Sequence, residues 1–458
     1  MRRVGLAVVC LAAVLLTSCT VGPNYSRPKI NVPSSYRGQM PAPQASVASL
    51  GSENWWQVFK DPALQQLIRT ALKQNYNVQI AASRVLEAQQ EIVVTRSKKF
   101  PNVDGSANYS SQRIPGLYTR GVVALEGSVS WILDFWGQYR RATQAARAGM
   151  LEQEWNRRAV IATLVSDVAA SYFQLRALDL DLQISERTLG ARQQSLKLTN
   201  TLYKGGANTL LDVREAEQLV QSAAATIPDL QRQIGQQENA ISILLGENPG
   251  AIARGKALRE QPLPKAIPAG LPSSLLERRP DIRAQEQSLI AANADIGVAK
   301  AQLFPTISLT GTGGVESPGL TSLFTTGALA WNATGGLTQP IFNAGALRAN
   351  VKIARAQQQQ ALFAYKQTIQ TAFEEVSNAL IAYRKYRQFA LHEAQLTTAA
   401  QDAAHLSEIR FKGGVTNYLE VLTNEANYFN DQLTLVAAQL DERLALVQVY
   451  NALGGGWQ

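Results

Sequence analysis

A chain of 458 residues is long for one compact core, so length alone predicts two or three domains or an extended oligomeric architecture. Charged residues are 17% of the chain against a typical ~25%, and there are only 2 histidines and 2 cysteines. A histidine-rich metal site, a zinc ribbon and a disulfide scaffold all lack the ligands or thiols they require, so no metal is expected.

Arg2 and Arg3 precede an apolar run over residues 4–16 that is shorter than the ~20 residues of a spanning helix. This reads as a secretory signal over residues 1–18, and Cys10 leaves with it. Cys19 follows Leu16-Thr17-Ser18, which resembles the bacterial lipobox. The resemblance implies S-diacylglycerol and an N-acyl group on Cys19, which becomes the mature N-terminus. Thr20 stands where an Asp in such lipoproteins favours inner-membrane retention, which implies the outer membrane. Without residues 1–18 the basic count falls from 44 to 42 against 35 acids, a charge of +7. It is spread thinly, with no Lys/Arg run and no aromatic interleaving, so no nucleic-acid partner is expected.

Prolines cluster over residues 23–43 and 249–272, each stretch leading into a long helical half. The halves are related. At an offset of 208, Tyr203-Lys204-Gly205-Gly206 matches Phe411-Lys412-Gly413-Gly414, and Leu211-Asp212-Val213 matches Leu419-Glu420-Val421. Earlier the offset is 204, where Phe100-Pro101 matches Phe304-Pro305, so a four-residue insertion falls between Pro305 and Arg348. A loop is its expected place. The predicted layout is an extended segment over 19–60, a first repeat over 61–246, a Pro-rich linker over 247–272 and a second repeat over 273–458.

Each repeat opens with helical spacing, over residues 62–98 in the first (Leu64, Leu67, Ile68, Ala71), with Pro62 suited to a first turn. The period then switches to two. Hairpins are predicted over about 102–134 and 305–340, in which Val103, Tyr109, Leu125, Trp131, Leu309 and Trp331 alternate with Asp104, Ser106, Glu126, Ser128, Thr310 and Asn332. Strands of about ten residues with a small polar face and an aromatic-bearing apolar face fit a membrane barrel. Four strands cannot close one, and an open edge in lipid leaves backbone groups unsatisfied, so the reading requires oligomerisation.

Long helices are predicted over about 138–203 and 345–411. The first carries Ile161, Val168, Leu175, Leu182, Leu189, Leu196 and Tyr203 every seven residues. The second carries Leu362, Ile369, Val376, Tyr383, Ala390, Thr397, Ala404 and Phe411, which are packing seams. Return helices follow over about 209–245 and 417–453. Glycines at 205, 206, 413 and 414 suit left-handed helix ends, and Thr209 with Asp212 and Asn417 with Glu420 have capping-box spacing. Simple capping is one account of Asp212 and Glu420; a functional one stands beside it.

The lipobox, the duplicated order of helix, hairpin, long helix and helix, and the aromatic-x-x-Gly turn before Leu-acid-Val together resemble the TolC-like outer-membrane factors, in their lipoprotein branch. The resemblance covers residues 19–458. It implies a mainly α fold with a membrane β part, a homotrimer with a twelve-stranded β-barrel continued by a long α-helical barrel, and an exit duct for small molecules such as drugs. Implied partners are a periplasmic adaptor (membrane fusion protein), an inner-membrane pump of the RND type and outer-membrane lipid. The turns at Gly205, Gly206, Gly413 and Gly414 would dock the adaptor at the periplasmic tip, and Tyr203, Asp212, Phe411, Thr416 and Glu420 would form the gate. Where the archetype has a tyrosine and an arginine this chain has Phe411 and Thr416, and an acidic position is Thr423, so the same latch cannot form. The rival is a periplasmic coiled-coil adaptor or structural envelope lipoprotein without a channel, since long heptads suit it equally. An enzyme is not expected: His392 and His405 are thirteen apart with no acid at catalytic spacing.

Overall fold

The computed structural model describes residues 20–38, 49–113, 119–264 and 267–458; the expected signal and Cys19 lie outside the described residues. In chain order the principal elements are α1 (Pro62–Gln74), α2 (Tyr76–Ser97), β1 (Asn102–Arg113), β2 (Thr119–Leu133), α3 (Gln138–Lys204), α4 (Leu210–Leu245), α5 (Pro272–Arg278), α6 (Pro280–Ala301), β3 (Thr306–Ser317), β4 (Leu329–Thr338), α7 (Ala346–Lys412) and α8 (Tyr418–Ala452). The two long helices have the same length, 67 residues. The chain divides into two compact units: residues up to 30 with 82–155 and 283–368, and residues 31–81 with 156–282 and 369–458.

The first unit holds a four-stranded antiparallel sheet in the order β1-β2-β3-β4. Pairing keeps odd residues opposite odd ones, so the alternation read from the sequence becomes two continuous faces. Tyr109 and Trp331 project from the apolar face and are about three-quarters exposed, at 73% and 78%. Two tryptophans close the end of the sheet at which the helices begin. The Trp131 Nε1–H donates to the Lys99 carbonyl at 2.9 Å, and the Trp136 Nε1–H donates to the Pro305 carbonyl at 2.8 Å while its ring stacks on Phe304 at 4.7 Å.

The residues that precede the first repeat are extended and clasped. The Val21 N–H donates to the Trp136 carbonyl at 3.1 Å, and Arg141 reaches the Gly22 carbonyl at 3.3 Å and Asn24 Oδ1 at 2.9 Å. Further along, Tyr25 and Arg27 both converge on Glu286.

Two expectations are corrected and one is borne out. The helix expected over residues 62–98 is two helices, because the Asn75 side chain caps the second one: its Oδ1 accepts from the N–H groups of Asn77 (2.8 Å) and Val78 (3.3 Å). The four-residue insertion falls in the loop of the second hairpin, as expected of added length. Asn102 pairs with Ser130 and Thr306 with Thr338; 102 and 306 are 204 apart, whereas 130 and 338 are 208 apart, as are the starts of α3 and α7 at 138 and 346. The four residues therefore lie between β3 and β4, beyond the last paired positions, where added length disturbs no register. The first heptad seam is the second correction. Val168 and Leu175 are buried, but Ile161, Leu182, Leu189 and Leu196 are half-buried and Tyr203 is exposed. Burial passes instead to Ile184, Ser185, Arg192 and Thr199, mostly polar residues that an apolar period does not reveal. In the second seam Ile369, Val376, Tyr383, Ala390, Thr397 and Ala404 are all buried, as the spacing predicts.

The second unit is organised around one carboxylate. Asp61 is fully buried at the N-cap of α1, with Pro62 in the first turn. Its Oδ1 accepts from the Ala63 N–H at 2.9 Å. Its Oδ2 accepts from the Tyr172 hydroxyl at 2.8 Å, the Lys256 N–H at 3.0 Å and the Gln261 amide at 2.6 Å. The start of α1, the middle of α3 and the Pro-rich linker thus meet on one side chain. Burial disfavours the charged form, but the four donors override it and hold the carboxyl below its ordinary range.

Asp61→Ala is expected to lower the unfolding free energy by at least about 3 kcal/mol, since it strands buried donors, whereas Asp61→Asn retains part of the network. Because the folded pKa lies below the unfolded one, the charged-form stabilisation is complete above about pH 4 and fades as pH falls through the folded value. Denaturant unfolding of both variants from pH 7 to pH 3 checks this; an Asp61→Ala protein as stable as the parent at pH 7 refutes the hub.

Candidate functional site

The residues singled out in the sequence lie in the second unit, where α3 turns into α4 and α7 into α8. Both turns close in the same way. Gly206 and Gly414 take φ of +74° and +72°, a region open to glycine and strained for other residues. The Ala207 N–H then reaches the Leu202 carbonyl, and the Val415 N–H the Arg410 carbonyl, each at 2.9 Å. These are Schellman closures that satisfy the last carbonyls of the long helices. Gly205 and Gly413 precede them and are exposed.

The two return helices are capped differently. After the first turn, Thr209 and Asp212 form a complete capping box: Asp212 Oδ2 accepts from the Thr209 N–H at 2.8 Å, and Thr209 Oγ1 accepts from the Asp212 N–H at 3.3 Å. Asp212 is fully used as a cap. After the second, Asn417 Oδ1 accepts from the Glu420 N–H at 3.3 Å, but the Glu420 carboxylate does not return to the cap. Its Oε2 accepts from the Thr416 hydroxyl, and its Oε1 pairs with Arg410 at 3.0 Å. The capping box expected at Asn417 is therefore only half formed, because Arg410 and Thr416 compete for the carboxylate and an ion pair outweighs a neutral amide donor.

Arg410 is the residue that sequence reasoning missed. Its counterpart 208 positions earlier is Leu202, so a search for identities between the halves passes over it. The clamp it makes spans the turn from the last residues of α7 to the first turn of α8.

The two turns are also brought together. Tyr418, Val421 and Ala216 form a buried cluster against which Leu196, Phe411 and Leu422 pack. The Phe411 and Tyr418 rings lie 5.3 Å apart, and the Tyr418 hydroxyl is 3.2 Å from Ser195 Oγ. Phe411 therefore serves packing, without the hydroxyl its position carries in the archetype. Tyr203 is exposed, with Leu210, Leu211, Val415 and Leu419 exposed around the two turns. Deeper in the same bundle the Arg192 guanidinium lies 4.9 Å from the Phe429 ring and donates to the Leu219 carbonyl at 2.9 Å. Burial raises the carboxyl of Glu425, with Arg192 opposing and Glu408 adding to the shift. Neither residue carries a repeat or heptad signal.

The comparisons with known proteins agree with this geometry. The family described as Outer membrane efflux protein matches residues 67–247 and 271–455, one stretch in each repeat. The chain is 34% identical over 460 residues to the probable efflux pump outer membrane protein TtgC of Pseudomonas putida, covering 98% of this chain and 95% of that one. It is 33% identical over 449 residues to the cation efflux system protein CusC of Escherichia coli, covering 97% of both. The open-state MtrE outer membrane channel of Neisseria gonorrhoeae superposes with a TM-score of 0.88 at 31% identity, over 96% of this chain and 99% of that one. Matches along the full length, strands included, set aside the adaptor and structural-lipoprotein reading. The chain belongs to the outer membrane efflux protein family: it is an outer-membrane efflux channel of the TolC-like fold, mainly helical, with a β-barrel part and a large periplasmic helical part.

Proposed function

We propose that three copies of the chain share one twelve-stranded β-barrel, continued by an α-helical barrel, and act as the passive exit duct of a tripartite efflux system. The observation that carries this is the four-stranded sheet with one polar and one apolar face and with β1 and β4 as its outer strands. In lipid those outer edges must pair, and neighbouring copies supply the partners. The half-buried seam residues Leu182 and Leu189 offer the same copies a helical contact. No step of such transport needs a catalytic group or a cofactor in this chain. The driving energy comes from an inner-membrane pump, of the RND type in this proposal, through a periplasmic adaptor that docks on the exposed turns at Gly205-Gly206 and Gly413-Gly414. Relatives are named for toluene, antibiotic and cation efflux. That spread is consistent with a duct whose cargo is chosen by its pump.

In the same proposal Cys19 carries the lipid anchor. Thr20 packs against Gly137 at the corner between β2 and α3, beside Trp136. A lipid on the preceding residue would start beside these interfacial rings.

Two outcomes are expected. A Cys19→Ala protein loses its lipid mass yet remains detergent-dependent and three chains in size by light scattering; a detergent-free monomer overturns the channel assembly. In planar bilayers, Arg410→Ala loosens the second turn and raises conductance. An exposed pair contributes about 1 kcal/mol or less, so the open population shifts by roughly fivefold at most. Asp212→Ala costs about 1 kcal/mol of helix stability and leaves conductance unchanged. Equal conductance changes in the two variants would remove the clamp's special role.

A further inference from the structure

The corner of the first unit where the sheet meets the helices gathers charge that the duct does not use. Lys99 stands between α2 and β1, Arg96 lies in the last turn of α2, and Arg140 and Arg147 lie in the first and third turns of α3. All three arginines act electrostatically on Lys99, and the acid opposing them is Asp134. These five groups sum to a charge of +3. Asp134 is already engaged by the N–H groups of Tyr139 (3.0 Å) and Arg140 (2.8 Å) and lies 3.4 Å from Arg140 Nε. Partial burial, with the like charges, pushes the Lys99 ammonium below its ordinary range.

Interfacial apolar surface occupies the same end of the sheet. The Trp131 indole is hydrogen-bonded to the Lys99 carbonyl, and Phe100, next in the chain, is exposed. Ile341 and Phe342, just past β4, are 96% and 89% exposed. Aromatic rings beside cations at the mouth of membrane strands match the headgroup layer, where rings face acyl chains and cations face phosphate.

We propose that Arg96, Lys99 and Arg147 bind the phosphate of an anionic phospholipid in the periplasm-facing leaflet, with Phe100 and Trp131 against its glycerol and upper acyl chain. Lysine supplies a compact charge and arginine paired donors, both suited to a phosphodiester. Arg140 is the positioning residue, since it holds Asp134. The proposal rests on the reading that the four strands lie in the outer membrane.

The test uses the detergent-solubilised full chain with added dioleoyl phosphatidylglycerol or dioleoyl phosphatidylcholine, counting retained lipid by native mass spectrometry. Phosphatidylglycerol is expected to be retained over phosphatidylcholine and to be lost as salt rises. Retention falls roughly fivefold per cation in Arg147→Gln and again in Lys99→Gln/Arg147→Gln, each variant keeping the detergent-bound assembly size of the parent. The tip variant Lys412→Gln leaves retention unchanged. Equal retention of the two lipids, retention unaffected by both variants, or displacement by millimolar inorganic phosphate each overturns the proposal, the last by showing a free-anion site. A parent protein that stays dispersed without detergent brings down the membrane reading as well; one that needs detergent but does not discriminate the lipids brings down this proposal alone.

Discussion

The pairing of β2 with β3 is the constraint on which the first unit depends, because there the two halves of a duplicated chain become one sheet. Eleven consecutive pairs run from Val123 opposite Ser317 to Leu133 opposite Ile307. A slip of one residue would send every side chain of one hairpin to the wrong face. In the observed register Asp104, Glu126 and Glu316 share a face with the serines, threonines and asparagines, while Tyr109, Trp131 and Trp331 share the other. The halves can drift in length only where no such register exists. That is why the extra residues of the second repeat fall in the loop between β3 and β4.

The helical unit obeys a different rule. Most of its buried polar seam residues have a partner: Thr199 donates to the Ser195 carbonyl at 3.0 Å, Thr397 to the Glu393 carbonyl at 2.8 Å, and Arg192 across to Leu219. Such burial costs little once the donor is satisfied. Asp61 extends the rule to the linker, where four donors converge on a charge that apolar packing would exclude. The linker is thereby a fitted part of the second unit and not the spacer that its proline content suggests.

This contrast explains what was legible in the sequence. Periodicity of two in small polar and aromatic residues was enough to place the strands to within a few residues, and the mirrored Gly-Gly turns were enough to place both helix reversals. Both signals are local, and the duplication states each of them twice. The Asn75 break was invisible because Asn is tolerated inside a helix and only its bonds to Asn77 and Val78 reveal a cap. Arg192, Arg410 and Glu425 were invisible because their roles depend on residues 10 to more than 200 positions away, and a polar residue that is buried by a distant partner looks like one on a solvated face. Asp212 and Glu420, by contrast, were visible but ambiguous. Only the direction of each carboxylate separates the cap from the clamp.

That separation gives the two reversals unequal mechanics. The first is neutral towards its own helix, since Asp212 turns back on Thr209 and position 202 is a leucine. The second ties the end of α7 to the start of α8 through Arg410, Glu420 and Thr416. The cluster of Tyr418, Val421 and Ala216 joins the reversals, so a movement of the second is felt by the first through packing, whereas the charge that resists movement is confined to the second. In the proposed trimer, six reversals would alternate between a capped and a clamped kind. A partner docking on all six would meet the same backbone shape at each, because Gly206 and Gly414 close alike, and would have to overcome an ion pair at only three. Duplication would thus supply the matching shape, and divergence at three positions, Leu202 to Arg410, Asn208 to Thr416 and Asp212 to Glu420, the resistance.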